Sequence, residues 1–97
     1  MQDRKVLTVT VSKVGKVRLA AVRVGDRDLK LVDGEAQIGV TQGATYWVYW
    51  YLEGTAGSSI TLTIEDEDGD RKVELDEEVT EIPPRLGRNA GTKKFVA

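Results

Sequence analysis

The 97-residue chain contains no cysteine and no histidine. Without cysteine no disulfide can staple the fold, so packing and hydrogen bonding must hold it together. Without either residue, finger-type zinc sites and Cys/His or Ser/His/Asp nucleophilic centres cannot be assembled. Serine occurs only at Ser12, Ser58 and Ser59, and no lysine or aspartate forms a nucleophile motif with them. Gly54 and Gly57 follow an apolar stretch, yet no Gly-Lys-Ser or Gly-x-Gly-x-x-Gly arrangement is present to cradle a phosphate. The expectation is a protein that is not an enzyme and carries no cofactor.

Long apolar runs are missing too. No stretch approaches the roughly 20 residues of a membrane-spanning helix, and Met1-Gln2-Asp3-Arg4-Lys5 leads directly into alternating residues without a signal-peptide core. A soluble chain with no membrane insertion is expected, cytoplasmic by default, although a signal peptide removed earlier would leave no trace. Nowhere does the apolar spacing of a helix persist over three turns, so helix content should be small.

What the sequence does contain is period-two alternation. Leu7, Val9 and Val11 share one face of a first strand, and Ile60, Leu62 and Ile64 share one face of another. Val17 and Leu19 lie out of phase with Val22 and Val24, which predicts a bulge near Ala20-Ala21. Gly25-Asp26-Arg27-Asp28 reads as a hairpin loop, Leu29 and Leu31 as a short strand, and Asp33-Gly34 as a tight hairpin turn into Ala36, Ile38 and Val40. Asp68-Gly69 marks an acidic turn before an edge strand that buries Val73 and Leu75, and Asp76-Glu77-Glu78 marks another turn. Val79 and Ile82 should close the bottom of the core before Pro83-Pro84 ends regular pairing. About seven strands with frequent turn signals predict an all-β protein, a small antiparallel β-sandwich, with a small partly open β-barrel as the alternative. The sandwich domain is assigned to residues 1–84, and residues 85–97 read as a basic C-terminal arm or flexible tail.

Both tryptophans and all three tyrosines fall in Tyr46-Trp47-Val48-Tyr49-Trp50-Tyr51-Leu52. Tyr46, Val48, Trp50 and Leu52 point one way and Trp47, Tyr49 and Tyr51 the other, so this strand is central and apolar on both sides. Trp47, Tyr49 and Tyr51 are the first candidates for a binding or interface surface, because a Tyr or Trp ring joins flat apolar area to a polar handle. The alternative is that they lie under intramolecular cover.

Charge is segregated although the net value is only -2. Residues 1–31 carry eight Lys or Arg against three Asp, whereas residues 65–81 carry ten acids against Arg71 and Lys72. The segment after Pro83 has Arg85, Arg88, Lys93 and Lys94 and no acid, and it ends in the apolar pair Phe95-Val96. Such a tip can dock in a groove or add a strand to a sheet edge of its own or a neighbouring subunit. Asp66, Asp68, Asp70 and Glu77 form a weak calcium candidate, as alternating hard oxygens around a tight turn, but Arg71 stands where a helix-flanked calcium loop needs glycine.

The reading is therefore a non-enzymatic protein-protein interaction or structural assembly module. Its partner is another protein chain, with a second copy of itself as one option. A carbohydrate-like ligand on the aromatic strand is the first alternative. Single-stranded nucleic acid on the basic head and tail is the second, disfavoured by the negative net charge.

Overall fold

The computed structural model of the chain describes residues 3–97. It is an all-β sandwich of two four-stranded antiparallel sheets, not closed into a barrel. The strands are β1 (Arg4–Val14), β2 (Val17–Val24), β3 (Arg27–Asp28), β4 (Glu35–Thr41), β5 (Thr45–Gly54), β6 (Ser59–Glu65), β7 (Arg71–Leu75) and β8 (Arg88–Val96), with a one-turn helix α1 (Glu77–Thr80) before β8. One sheet has the order β4-β1-β6-β7 and the other β3-β2-β5-β8. The chain changes sheet at nearly every connection and stays within one only at the β2-β3 and β6-β7 hairpins.

The core lies between the sheets and is built from the alternation in each strand. Leu7, Val9 and Val11 from β1 and Ile60, Leu62 and Ile64 from β6 meet Val22, Val24, Val48, Trp50 and Leu52 from the opposite sheet. β-Branched and long aliphatic side chains suit such a pleated, half-buried surface. The Trp50 ring lies over Gly91 of β8, where an added Cβ would stand 2.3 Å from Cζ2. Close approach of the ring to the backbone therefore requires glycine at that position. Its indole N–H is buried without a partner among the described residues.

Turn chemistry sets the registers. Asp33 and Gly34 both have positive φ, 54° and 78°, and Val32 bridges Glu35 across them. This is the two-residue hairpin turn that Asp-Gly favours. Gly25, with φ 61°, turns β2 into β3.

The fold corrects several expectations. The bulge in β2 falls between Val17 and Leu19 rather than at Ala20-Ala21. Val17 packs against the core, while Leu19 is 45% exposed on the outer face opposite Glu53. Leu29 and Leu31 pack against the core without forming a strand, and the pairing strand is Arg27–Asp28. Val79 faces outward and Thr80 is fully buried in its place. The Thr80 hydroxyl accepts from the Ile60 amide at 2.9 Å and donates to the Ile60 carbonyl. It thus extends the β6 ladder beyond the last β7 pair, Leu62 with Leu75.

The segment read as an arm or tail from residue 85 is also a sandwich element. Residues 88–96 form β8, paired with β5 along its whole length from Arg88↔Glu53 to Val96↔Thr45. Its core-facing row is Asn89, Gly91, Lys93 and Phe95, of which only Phe95 is apolar, so the hydrophobic pattern conceals a strand.

Candidate interaction surface

Alternation along β5 sends Trp47, Tyr49, Tyr51 and Glu53 to the outer face of the β3-β2-β5-β8 sheet. The register sets Lys94 beside Trp47, Thr92 beside Tyr49, Ala90 beside Tyr51 and Arg88 beside Glu53 on the β8 side. On the β2 side Arg23 lies beside Tyr49, Ala21 beside Tyr51 and Leu19 beside Glu53. Trp47 is 45% exposed, and Tyr49 and Tyr51 are half-buried with no second layer above them among the described residues. The expectation that these three rings share an outward face holds. The alternative of cover by a second sheet or by the C-terminal segment does not, because the other sheet packs on the opposite face and the C-terminal segment runs beside β5 as β8 rather than over it.

Cations gather around the rings. The Arg23 guanidinium sits 4.3 Å from the Tyr49 ring centroid, and Lys94 Nζ lies 5.9 Å from that of Trp47. Exposed cation-π contacts of this kind are worth about 0.5–1 kcal/mol each. At one end, Arg18 bonds Glu53 at 2.6 Å and the Tyr51 hydroxyl donates to the other Glu53 oxygen. The bond from Tyr51, reinforced by Arg18, holds the Glu53 carboxyl below its ordinary pKa, and the bond to Glu53 raises that of the Tyr51 phenol. Tyr51 borders two shallow depressions. One, of about 330 Å³, involves Ala21, Arg23, Asp28, Leu29 and Tyr49. The other, of about 500 Å³, involves Pro83, Leu86, Arg88 and Ala90. The neighbours of Tyr51 across the sheet, Ala21 on β2 and Ala90 on β8, are small and line these depressions.

The remaining candidates divide. Arg88, Lys94 and Val96 lie on this face with the aromatic row. Lys93 has the core-facing phase but is exposed. Arg85 is exposed in the preceding turn with φ 73°. Phe95 is removed from the interface set: it is 5% exposed and stacks on Tyr46 with centroids 6.1 Å apart, so it anchors β8 in the core.

The calcium candidate fails on geometry. Asp66 turns inward, accepting from the Asp68 and Asp70 amides at 2.9 Å and pairing with Lys5 at 3.3 Å. Burial would raise its pKa, but the Asp70 amide and Lys5 outweigh that and hold the carboxyl below its ordinary range. Asp68 and Asp70 are exposed, Glu77 lies in α1, and no group of three or more acids among the described residues is placed to hold a metal.

Sequence reasoning did not place Arg23, Leu19, Ala21, Ala90 and Thr92 around the rings. Arg23 was visible only as one charge among eight, because its neighbours are set by strand order and by the bulge at Arg18. No helix among the described residues is long and apolar enough to cross a membrane. No protein-family model, curated protein sequence or solved structure matches the chain.

Proposed function

We propose that this protein is a non-enzymatic protein-contact module whose working surface is the outer face of β2, β5 and β8. The observation that carries the reading is the uncovered row Trp47-Tyr49-Tyr51, flanked by Leu19 and Val96, which are 45% and 56% exposed, and by Arg23, Arg88 and Lys94. Trp, Tyr and Arg are the residues most enriched in the energetic centres of protein interfaces. Exposed large apolar side chains collected on one face mark a surface made for contact.

The depression beside Tyr49, with Arg23 and Asp28 at its margin, favours a second reading in which a sugar ring stacks there. Two measurements decide between them: solution mass by light scattering across concentration, and calorimetric titration with neutral oligosaccharides. A mass above the 10.7 kDa of one chain that reverts in Trp47→Ala/Tyr49→Ala supports protein contact, as does a monomer inert to sugars. Sugar binding that is lost in the same double variant overturns it.

A further inference from the structure

The four edge strands of the sandwich are not equivalent. On β4 the register and the Gln42-to-Asp3 bond direct the even-numbered main-chain groups toward β1, which leaves Glu35, Gln37, Gly39 and Thr41 facing the free edge. That edge is capped at both ends and at the Gly39 carbonyl, which leaves only the Gln37 groups and the Gly39 amide without a partner among the described residues. Glu35 exchanges both bonds with Val32, the Arg27 guanidinium donates to the Gly39 carbonyl, and the Tyr46 hydroxyl accepts from the Thr41 amide at 2.9 Å. β3 has only two residues, and β7 has five and joins β6 through a register shift.

β8 differs on each count. It has nine residues and pairs with β5 without a shift. Gly54 donates to the Gly87 carbonyl and Ala97 donates to Ala44, so the odd-numbered groups face β5. The amides and carbonyls of Arg88, Ala90, Thr92, Lys94 and Val96 therefore point out of the free edge, and no group among the described residues bonds them. Their side chains are exposed on the aromatic face.

We propose that β8 receives an extended acidic segment of a partner protein as a ninth strand. This rests on the protein-contact reading and specifies its mode and its partner's chemistry. Main-chain bonds to the free edge supply the affinity and alternate side chains supply the selectivity. Arg88, Lys93 and Lys94 make no ion pair within 4 Å among the described residues, so charge complementarity selects carboxylates. Arg88 and Lys94 are six residues apart on one face, roughly 20 Å along the strand. Between them Ala90 and Thr92 are small, and side chains of the added strand lean across them onto Tyr51 and Tyr49. The segment that fits has acids at its first and seventh positions and apolar or aromatic residues at the third and fifth. A second copy of β8 would instead bring further cations onto an already basic edge.

The probe is a labelled peptide, Glu-Thr-Phe-Thr-Tyr-Thr-Glu, with a control in which lysine replaces both glutamates. Binding is read by anisotropy and by residue-resolved amide exchange. The acidic peptide should slow exchange at residues 88, 90, 92, 94 and 96 while leaving the odd-numbered amides, already bonded to β5, unchanged. Thr92→Pro removes one outward donor without touching the β5 ladder and should weaken binding by at least about tenfold. If that variant does not fold, Arg88→Glu/Lys94→Glu, which should reverse the preference between the two peptides, decides together with exchange on the native chain. Peptide binding that Trp47→Ala/Tyr49→Ala abolishes but Thr92→Pro leaves intact, with even-numbered amides unprotected, overturns strand addition and leaves the protein-contact reading standing. No peptide binding overturns the inference alone, since the mass and sugar measurements judge the wider reading separately. Edge protection by a thymidine oligonucleotide in place of the peptide overturns it in favour of nucleic acid. Edge protection with doubled mass and no peptide overturns it in favour of a second copy.

Discussion

Replacing Thr80 by valine should destabilise the fold far more than its position in a four-residue helix suggests. Valine matches threonine in shape, so the change removes a hydroxyl and opens no cavity. That hydroxyl satisfies both main-chain groups of Ile60, and Thr80 and Ile60 are both fully buried. Each orphaned group costs about 1–3 kcal/mol. Two such groups cost about 2–6 kcal/mol, and allowing about 0.8 kcal/mol for the methyl gained in exchange, the net loss is about 1–5 kcal/mol. With a urea m-value of about 1–2 kcal/mol/M for a chain of this size, a mid-range loss of about 3 kcal/mol lowers the unfolding midpoint by about 1.5–3 M. Thr80→Ser keeps the hydroxyl and loses a methyl, so it should cost about 1 kcal/mol or less. Urea unfolding of the three proteins, followed by circular dichroism, gives the comparison. A valine variant within about 0.5 kcal/mol of wild type, or a serine variant as damaged as the valine one, would refute the idea that this hydroxyl completes the β6 ladder.

Two further outcomes follow from the geometry. Gly91→Ala places a Cβ 2.3 Å from Cζ2 and 2.7 Å from Cη2 of Trp50, so the ring must move. Overpacking of this kind costs about 1–3 kcal/mol, and in a Trp47→Phe background the remaining indole emission should shift to the red; unchanged emission and stability would refute the contact. Asp66 has its folded pKa depressed, so its stabilisation is present above the ordinary aspartate range and is lost as pH falls through the lowered folded value. The melting-temperature gap between wild type and Asp66→Asn should therefore be widest near neutrality and close below about pH 4; a gap constant from pH 7 to pH 2 would show that the Asp70 amide and Lys5 do not favour the ionised carboxyl.

What the sequence could disclose was local. The phase of β5 and β6 follows from alternation alone, and Asp33-Gly34 announces its turn because both residues tolerate positive φ. The outward set Trp47, Tyr49 and Tyr51 was legible for the same reason. β8 was concealed because its inner row is Asn89, Gly91, Lys93 and Phe95: the Trp50 ring fills the space over Gly91, and Lys93 keeps its charge exposed at the edge. Leu19 looked like core because apolarity does not report phase once a bulge has shifted it. Thr80 went unremarked because a hydroxyl can be buried only where packing supplies it with a bonding partner, here both main-chain groups of Ile60. The cations and small residues around the aromatic row depend on which strands are neighbours, and strand order is fixed by packing between segments far apart in the sequence.

The contrast between β8 and the other edges limits how large any assembly can grow. A sheet with two open margins can hand on its pairing indefinitely, and that is how fibres form. Here the far margin of the same sheet is covered by the two-residue β3 only at Arg23 and Val24 and leaves a shorter, bulged stretch of β2 beyond it, and β4 in the other sheet is partly occupied by Arg27, Val32 and Tyr46. Strand addition at β8, as proposed, would leave no second margin of the same length and regularity to hand the pairing on, so an adhesive edge there would not by itself make the molecule a template for its own polymerisation.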